Sequence, residues 1–219
     1  MCKDKRKELI EKYKTLDEST KQEKNKILAR LAEEGFLIVK DNIQSESNLC
    51  IILSCPGQEE LINDKVCAGE TGDNLDKVLK FVGFDHFRPR VEDENDCRYS
   101  YTIVNAVNEV HFREYNGAEA KENQIKEKSN IDRVKSELSD KIDYFIICGN
   151  NAAVLYDLIK NEYKDAKQSY VSHLGWVGLR NEYKNSCKVL SGITKPADRD
   201  RKRLELVAEQ IKKDFGFKI

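Results

Sequence analysis

Apolar residues along the chain fall into two kinds of run. Leu49–Leu53 (Leu-Cys-Ile-Ile-Leu) and Tyr144–Cys148 (Tyr-Phe-Ile-Ile-Cys) are short and unbroken, the pattern of strands buried on both faces of a parallel sheet. Tyr99–Val107 predicts a further buried strand, and Ser169–Ser172 a weaker fourth. Between and after them the spacing changes to the helical one. Leu75, Val78, Leu79 and Val82 fall at i, i+3, i+4 and i+7, as do Leu204, Val207, Ala208 and Ile211 in a helix entered at Pro196. Ile131, Val134 and Leu138 mark another helix, and Ala152, Leu155, Leu158 and Ile159 one that Asn150 or Asn151 is expected to cap. Residues 3–34 predict two N-terminal helices, interrupted at Asp17–Gln22 and ended by Gly35. Phe36–Val39 and Lys188–Ser191 are expected as short edge strands, and the charged stretch from Gly83 to Asp96 as a surface loop. Strands alternating with helices predict an α/β fold, a three-layer α/β/α sandwich around a mostly parallel four-stranded sheet. One domain is expected over 1–219, with an N-terminal helical layer (1–40), a core (48–181) and a C-terminal helix (196–215).

Every strand stops at polar or turn-forming residues. Pro56 removes a backbone donor and Gly57 admits torsions closed to other residues, so the chain turns at the carboxyl end of the first strand. The strand ends bring Ser54–Glu60, Asn105–Asn108, Gly149–Asn151 and His173–Asn181 to one rim, the edge at which open parallel sheets bind ligands. Gly69 and Gly72 precede the Leu75 helix, leaving its N-terminus free to hold an anion or a polar ring. The loop after the fourth strand, His173-Leu-Gly-Trp-Val-Gly-Leu-Arg-Asn181, holds the one tryptophan, Trp176, which either stacks on a ligand or packs the loop down.

Composition narrows the class. In 219 residues 35% are charged, yet the net charge is -1, which argues against a general basic coat for nucleic acid. No apolar run approaches the ~18 residues of a membrane span. The N-terminus, Met-Cys-Lys-Asp-Lys-Arg, lacks a signal-peptide core, so a cytoplasmic protein with no membrane partner is expected. The seven cysteines are odd in number and form no C-x-x-C pair, so neither a disulfide framework nor a metal or iron–sulfur site is expected, and no cofactor. Lys195, Arg199, Arg201, Lys202 and Arg203 make a local basic cluster at a helix start, open to phosphate contact or to a solvated helix face.

Taken in order, Pro56-Gly57-x-x-Glu60, Gly69-x-x-Gly72-x-x-Leu75-Asp76-x-x-Leu79, Thr102-x-x-Asn105-x-Val107, Cys148-Gly149-x-x-Ala152 and His173 resemble the motifs of the uracil-DNA glycosylase superfamily. The nearest look is to its bacterial branch with G-E-x-P-G-x-x-E followed by a glycine-rich G-x-x-G-x-x-L-D-x-x-L. The resemblance covers roughly residues 48–181. It implies excision of uracil or a related base from DNA, by hydrolysis of the N-glycosidic bond of a flipped-out nucleotide. It implies roles for Asn105 at the pyrimidine edge and His173 at the base oxygen, with Ser54 and Glu60 near the attacking water. Cys55, Pro56, Gly57, Gln58, Cys67, Asn108 and Trp176 would surround the base, and Gly149, Asn150, Arg180 and Asn181 would face the DNA.

The chain also departs from the pattern. Ser54 stands where that branch has Glu, Cys55 where the best-known branch has its water-activating Asp, and Cys67 where the family has an aromatic that stacks on the base. His-Leu-Gly-Trp replaces His-Pro-Ser, and the iron–sulfur cysteines are absent. Gln58, Glu59 and Glu60 remain as water-positioning groups or as a solvated acidic turn. Two alternatives stay open: a non-catalytic nucleic-acid or nucleobase-binding module of the same fold, and a hydrolase with Cys55 as nucleophile and His173 as base.

Overall fold

The computed structural model describes residues 2–89, 97–113 and 117–218, so part of the charged loop after Gly83 lies outside the described residues. Helices α1 (Cys2–Thr15) and α2 (Lys21–Glu33) form the N-terminal hairpin, and the Asp17 carboxylate accepts the Ser19 N–H at its break. The chain then builds β1 (Leu49–Leu53), α3 (Gln58–Asn63), α4 (Glu70–Val82), β2 (Thr102–Asn105), α5 (Glu122–Ile125) and α6 (Lys128–Glu137). It continues through β3 (Tyr144–Cys148), α7 (Asn150–Ile159), β4 (Lys167–Val171), α8 (Trp176–Glu182) and α9 (Pro196–Phe215). The four strands form one parallel sheet in the order β2-β1-β3-β4, with Leu53 opposite Asn105 and Ile52 opposite Ile147.

Alternation along β1 divides the core into two layers. Leu49, Ile51 and Leu53 join the cluster made with α1, α2, α4 and α9, whereas Cys50 and Ile52 join that of α6 and α7. The unbroken apolar run is therefore the cost of being covered twice, each fully buried Leu or Ile contributing about 2 kcal/mol. This is the three-layer α/β sandwich that the pattern predicts.

Several local expectations are revised. Phe36–Val39 makes no strand; the segment runs antiparallel beside β2 through isolated bridges, Ile38 to Glu109 and Asn42 to Ile103. Lys188–Ser191 folds as turns, and the His173–Asn181 loop contains the short helix α8. Gly149, not an asparagine, is the N-cap of α7. In the Gly69-x-x-Gly72 turn, a Cβ at Gly72 would lie 1.9 Å from the Cys67 carbonyl oxygen. That glycine is there for close packing of the turn on the first turn of α4.

Candidate functional site

β4 ends at Val171 and hands the chain to His173, which three glycines surround. Gly149, at a φ of 87°, lets β3 turn into α7 with its N–H on the Val171 carbonyl, and its Cα faces the His173 side chain. A Cβ at Gly178 would stand 2.4 Å from the His173 carbonyl oxygen, and one at Gly175 would stand 3.1 Å from His173 Nδ1. Two tethers from α4 fix this segment: Asn74 Nδ2 donates to the Leu174 carbonyl (2.8 Å), and the Trp176 N–H donates to Glu70 Oε1 (2.9 Å).

The Gly175 N–H donates to His173 Nδ1 at 3.0 Å, so the neutral ring carries its proton on Nε2. The ring is solvent-accessible but sits in a recess with protein on several sides. That desolvation lowers its pKa below the ordinary 6.5, against the opposing pull of the Glu119, Glu60 and Glu70 carboxylates. At neutral pH the ring is an uncharged N–H donor.

Two adjoining recesses of about 540 and 460 Å³ share Ser54, Glu119, His173, Gly178 and Asn181 and form one groove across the strand ends. One side extends over Gly149, Asn150, Asn151, Ser172 and the exposed ring of Tyr170. The other extends over Cys55, Glu70, Thr71 and Trp176. Asn151 Nδ2 donates to both Ser54 Oγ and the Ala120 carbonyl, each at 3.0 Å, which ties the end of β1 to the segment carrying Glu119. Cys55 faces the groove, but burial pushes its thiol up, leaving it protonated and a poor nucleophile.

The remaining expected residues lie elsewhere. Gly57, Gln58 and Glu60 line a neighbouring recess of about 400 Å³ with the buried His111. There Glu60 Oε2 accepts the Gly57 N–H (2.9 Å), so its carboxylate caps α3. Pro56 is buried and its carbonyl accepts the His111 N–H at 2.9 Å. Asn105 is buried outside the groove: its N–H donates to Asp41 Oδ1 (2.9 Å) and its carbonyl accepts Arg133 Nη2 (3.0 Å). Asp41 and Arg133 form a buried ion pair there, and burial raises the Asp41 pKa against the pull of Arg133. Asn108 lines a separate recess beside Arg133. Cys67 is a core residue whose thiol burial raises far above its usual value, so the turn offers no face to a base.

Trp176 packs on the core, the second of its two expected parts, and its position also lines the groove, with the Arg180 guanidinium 5.6 Å from its ring. Arg180 itself pairs with Asp200 at 2.9 Å. The structure thus brings Ser54, Cys55, Gly149, Asn150, His173, Trp176 and Asn181 together, and keeps Asn105, Asn108 and Cys67 apart from them. Sequence reasoning missed Glu119, which sits in a polar stretch without periodicity, and placed Asn151 at the rim and as a cap candidate without its bond to Ser54. Asn74 carried one usable signal, a polar residue just before the buried Leu75 of an amphipathic helix.

Among the described residues no group of His, Cys, Asp and Glu could hold a metal ion, and no helix is long and apolar enough to cross a membrane. The fold and site define an α/β protein with a polar groove, built around a neutral histidine, at the carboxyl ends of parallel strands. The sequence matches no protein-family model and no curated protein.

Proposed function

We propose that the groove receives a nucleobase turned out of DNA, and that the protein is a DNA glycosylase hydrolysing the N-glycosidic bond of uracil or a related modified base. The observation that carries this reading is the neutral His173 ring, its Nδ1 occupied by Gly175 and its Nε2–H left as a donor. When the bond between C1′ and the base nitrogen breaks, the electron pair leaves with the base and charge accumulates on its carbonyl oxygen. A preorganised neutral donor stabilises that charge without giving up its proton, and removing such a donor costs about 10²–10³ in rate. The water oxygen adds to C1′; Glu119, lining the same groove, accepts the water proton, while the Ser54 hydroxyl held by Asn151 orients the water. Asn105, buried against Asp41, takes no part at the base edge in this mechanism, which leaves that role to Asn181 and the backbone around Cys55.

The test is release of base from labelled uracil-containing oligonucleotides, single- and double-stranded, by the wild type, His173→Gln and Glu119→Gln. Release that falls about 100-fold in His173→Gln supports the mechanism. Binding of the same oligonucleotides without release of uracil or other modified bases would move the assignment to a non-catalytic nucleobase-binding module. Ser54 in place of an acidic residue and the burial of Asn105 favour that second reading.

A further inference from the structure

The tertiary structure sorts the basic residues of the C-terminal region into two groups. Arg201 pairs with Glu205 at 3.0 Å and Lys202 with Glu205 and Glu209 at 3.3 and 3.2 Å, so these belong to a solvated helix face. Arg180, Lys184, Arg199 and Arg203 instead converge on a recess of about 560 Å³ between α8 and the start of α9, where Asp200 is the lining carboxylate. Arg203 is buried and built in: it donates to the Tyr183 carbonyl (2.9 Å) and Asn185 Oδ1 (2.5 Å) and pairs with Asp200 (2.7 Å). Asp200 is thereby shared between Arg203 and Arg180. Arg199 uses Nε on the Ile193 carbonyl (2.6 Å), and Lys184 is exposed. Within the lining one carboxylate faces four cations, a local excess of positive charge in a chain whose net charge is -1, which Asp198 in the first turn of α9 and Glu70 near Arg180 reduce without cancelling. α9 also begins here without a side-chain cap, and its dipole adds to the same sign.

The recess has a fixed relation to the groove. Trp176 and Arg180 lie about one helical turn apart on α8, about 6 Å along its axis, so the same short helix borders both sites. We infer that this recess binds a backbone phosphate of the polynucleotide whose base occupies the His173 groove, with Lys184 and Arg180 as its contacting cations. The inference rests on the reading of the groove as a nucleic-acid site and adds the position of its phosphate subsite. Arg203 and Asp200 act as positioning residues, holding α8 against α9.

The experiment is fluorescence anisotropy of labelled single-stranded oligonucleotides, with and without uracil, titrated over a range of salt concentrations. Wild type, Lys184→Ala, Arg180→Gln and the double variant are compared with Lys141→Ala, a control at the opposite, amino-terminal edge of the sheet. Each phosphate contact on a single strand contributes about 0.7 to the slope of log K against log salt, so losing one weakens binding about fivefold near 0.1 M salt. The expected result is that loss in each single variant, an additive loss in the double variant, no change in Lys141→Ala, and unchanged circular dichroism and melting in all. Unchanged affinity and slope in the double variant would overturn the phosphate site, while continued base release by the same protein would leave the groove assignment standing. Inorganic phosphate shifting the Lys184 and Arg180 resonances in a protein that binds no oligonucleotide would also overturn it, marking a small-anion site instead.

Discussion

Gly178→Ala tests the placement of His173 directly. The added Cβ would stand 2.4 Å from the His173 carbonyl oxygen and 3.0 Å from its Cβ, whereas ordinary contacts begin near 3.4 Å. One side must move by about 1 Å, and both partners are held: His173 by the tethers on Leu174 and Trp176, Gly178 by α8. In stability the substitution is nearly balanced. Alanine gains about 1 kcal/mol over glycine inside a helix, and overpacking costs about 1–3 kcal/mol. The net loss of about 1 kcal/mol corresponds to a fall of about 3 °C in Tm for a chain of this size. In the proposed mechanism function is far more sensitive, because a misplacement of about 1 Å at the donor to the leaving base costs about 100-fold. The expected variant therefore melts close to the wild type but loses about two orders of magnitude in base release. By NMR, its His173 ring, pulled from the Gly175 N–H and toward solvent, titrates closer to 6.5. A variant with wild-type activity and an unshifted His173 resonance would refute the cradle argument. Gly175→Ala, whose Cβ would meet the ring at 3.1 Å and Thr71 Oγ1 at an ordinary 3.6 Å, should show a smaller loss.

His173 and His111 both have pKa values lowered by burial from 6.5, so the unfolded chain binds protons more readily than the folded one below that pH. Their contribution to stability is present above pH 6.5 and is lost as the pH falls through the folded values; urea titrations of His173→Gln and His111→Gln across this window should each show a shallower acid limb than the wild type. Asn151→Ala deletes two side-chain hydrogen bonds and leaves the Ala120 carbonyl without that donor, an expected loss of about 2 kcal/mol in urea denaturation, with faster amide exchange at Glu119 and Ala120. Arg133→Met removes the cation beside Asp41, whose side chain is 1% exposed and whose pKa burial already raises to about 7, so the carboxyl protonates at lower pH and the loss of stability should grow as the pH rises above 7, toward about 3–5 kcal/mol. A melting temperature within a degree of the wild type would show that the buried pair contributes nothing.

The layered architecture was legible because it is written in local periodicity. β1 and β3 are unbroken apolar runs, α4 and α9 carry apolar residues at helical spacing, and each strand end is marked by glycine or a polar residue, so a parallel sheet with one polar rim followed from neighbouring residues alone. Even so, the composition of the rim did not follow. Asn105 and Ser54 end adjacent strands and look equivalent in sequence, but the segment running antiparallel beside β2 brings Asp41, 64 residues away, onto Asn105 and withdraws it into the interior. Ser54 is instead held toward the groove by Asn151, 97 residues away, and the histidine segment is fixed by Asn74 and Glu70 across separations of 100 and 106 residues. Periodicity records which face of an element is buried, and nothing in it encodes which polar group will satisfy which donor across the fold. By itself the sequence determined the sheet, its rim and the delivery of His173 to it, whereas only tertiary packing decided which polar side chains share the groove and which are spent as internal hydrogen-bond partners.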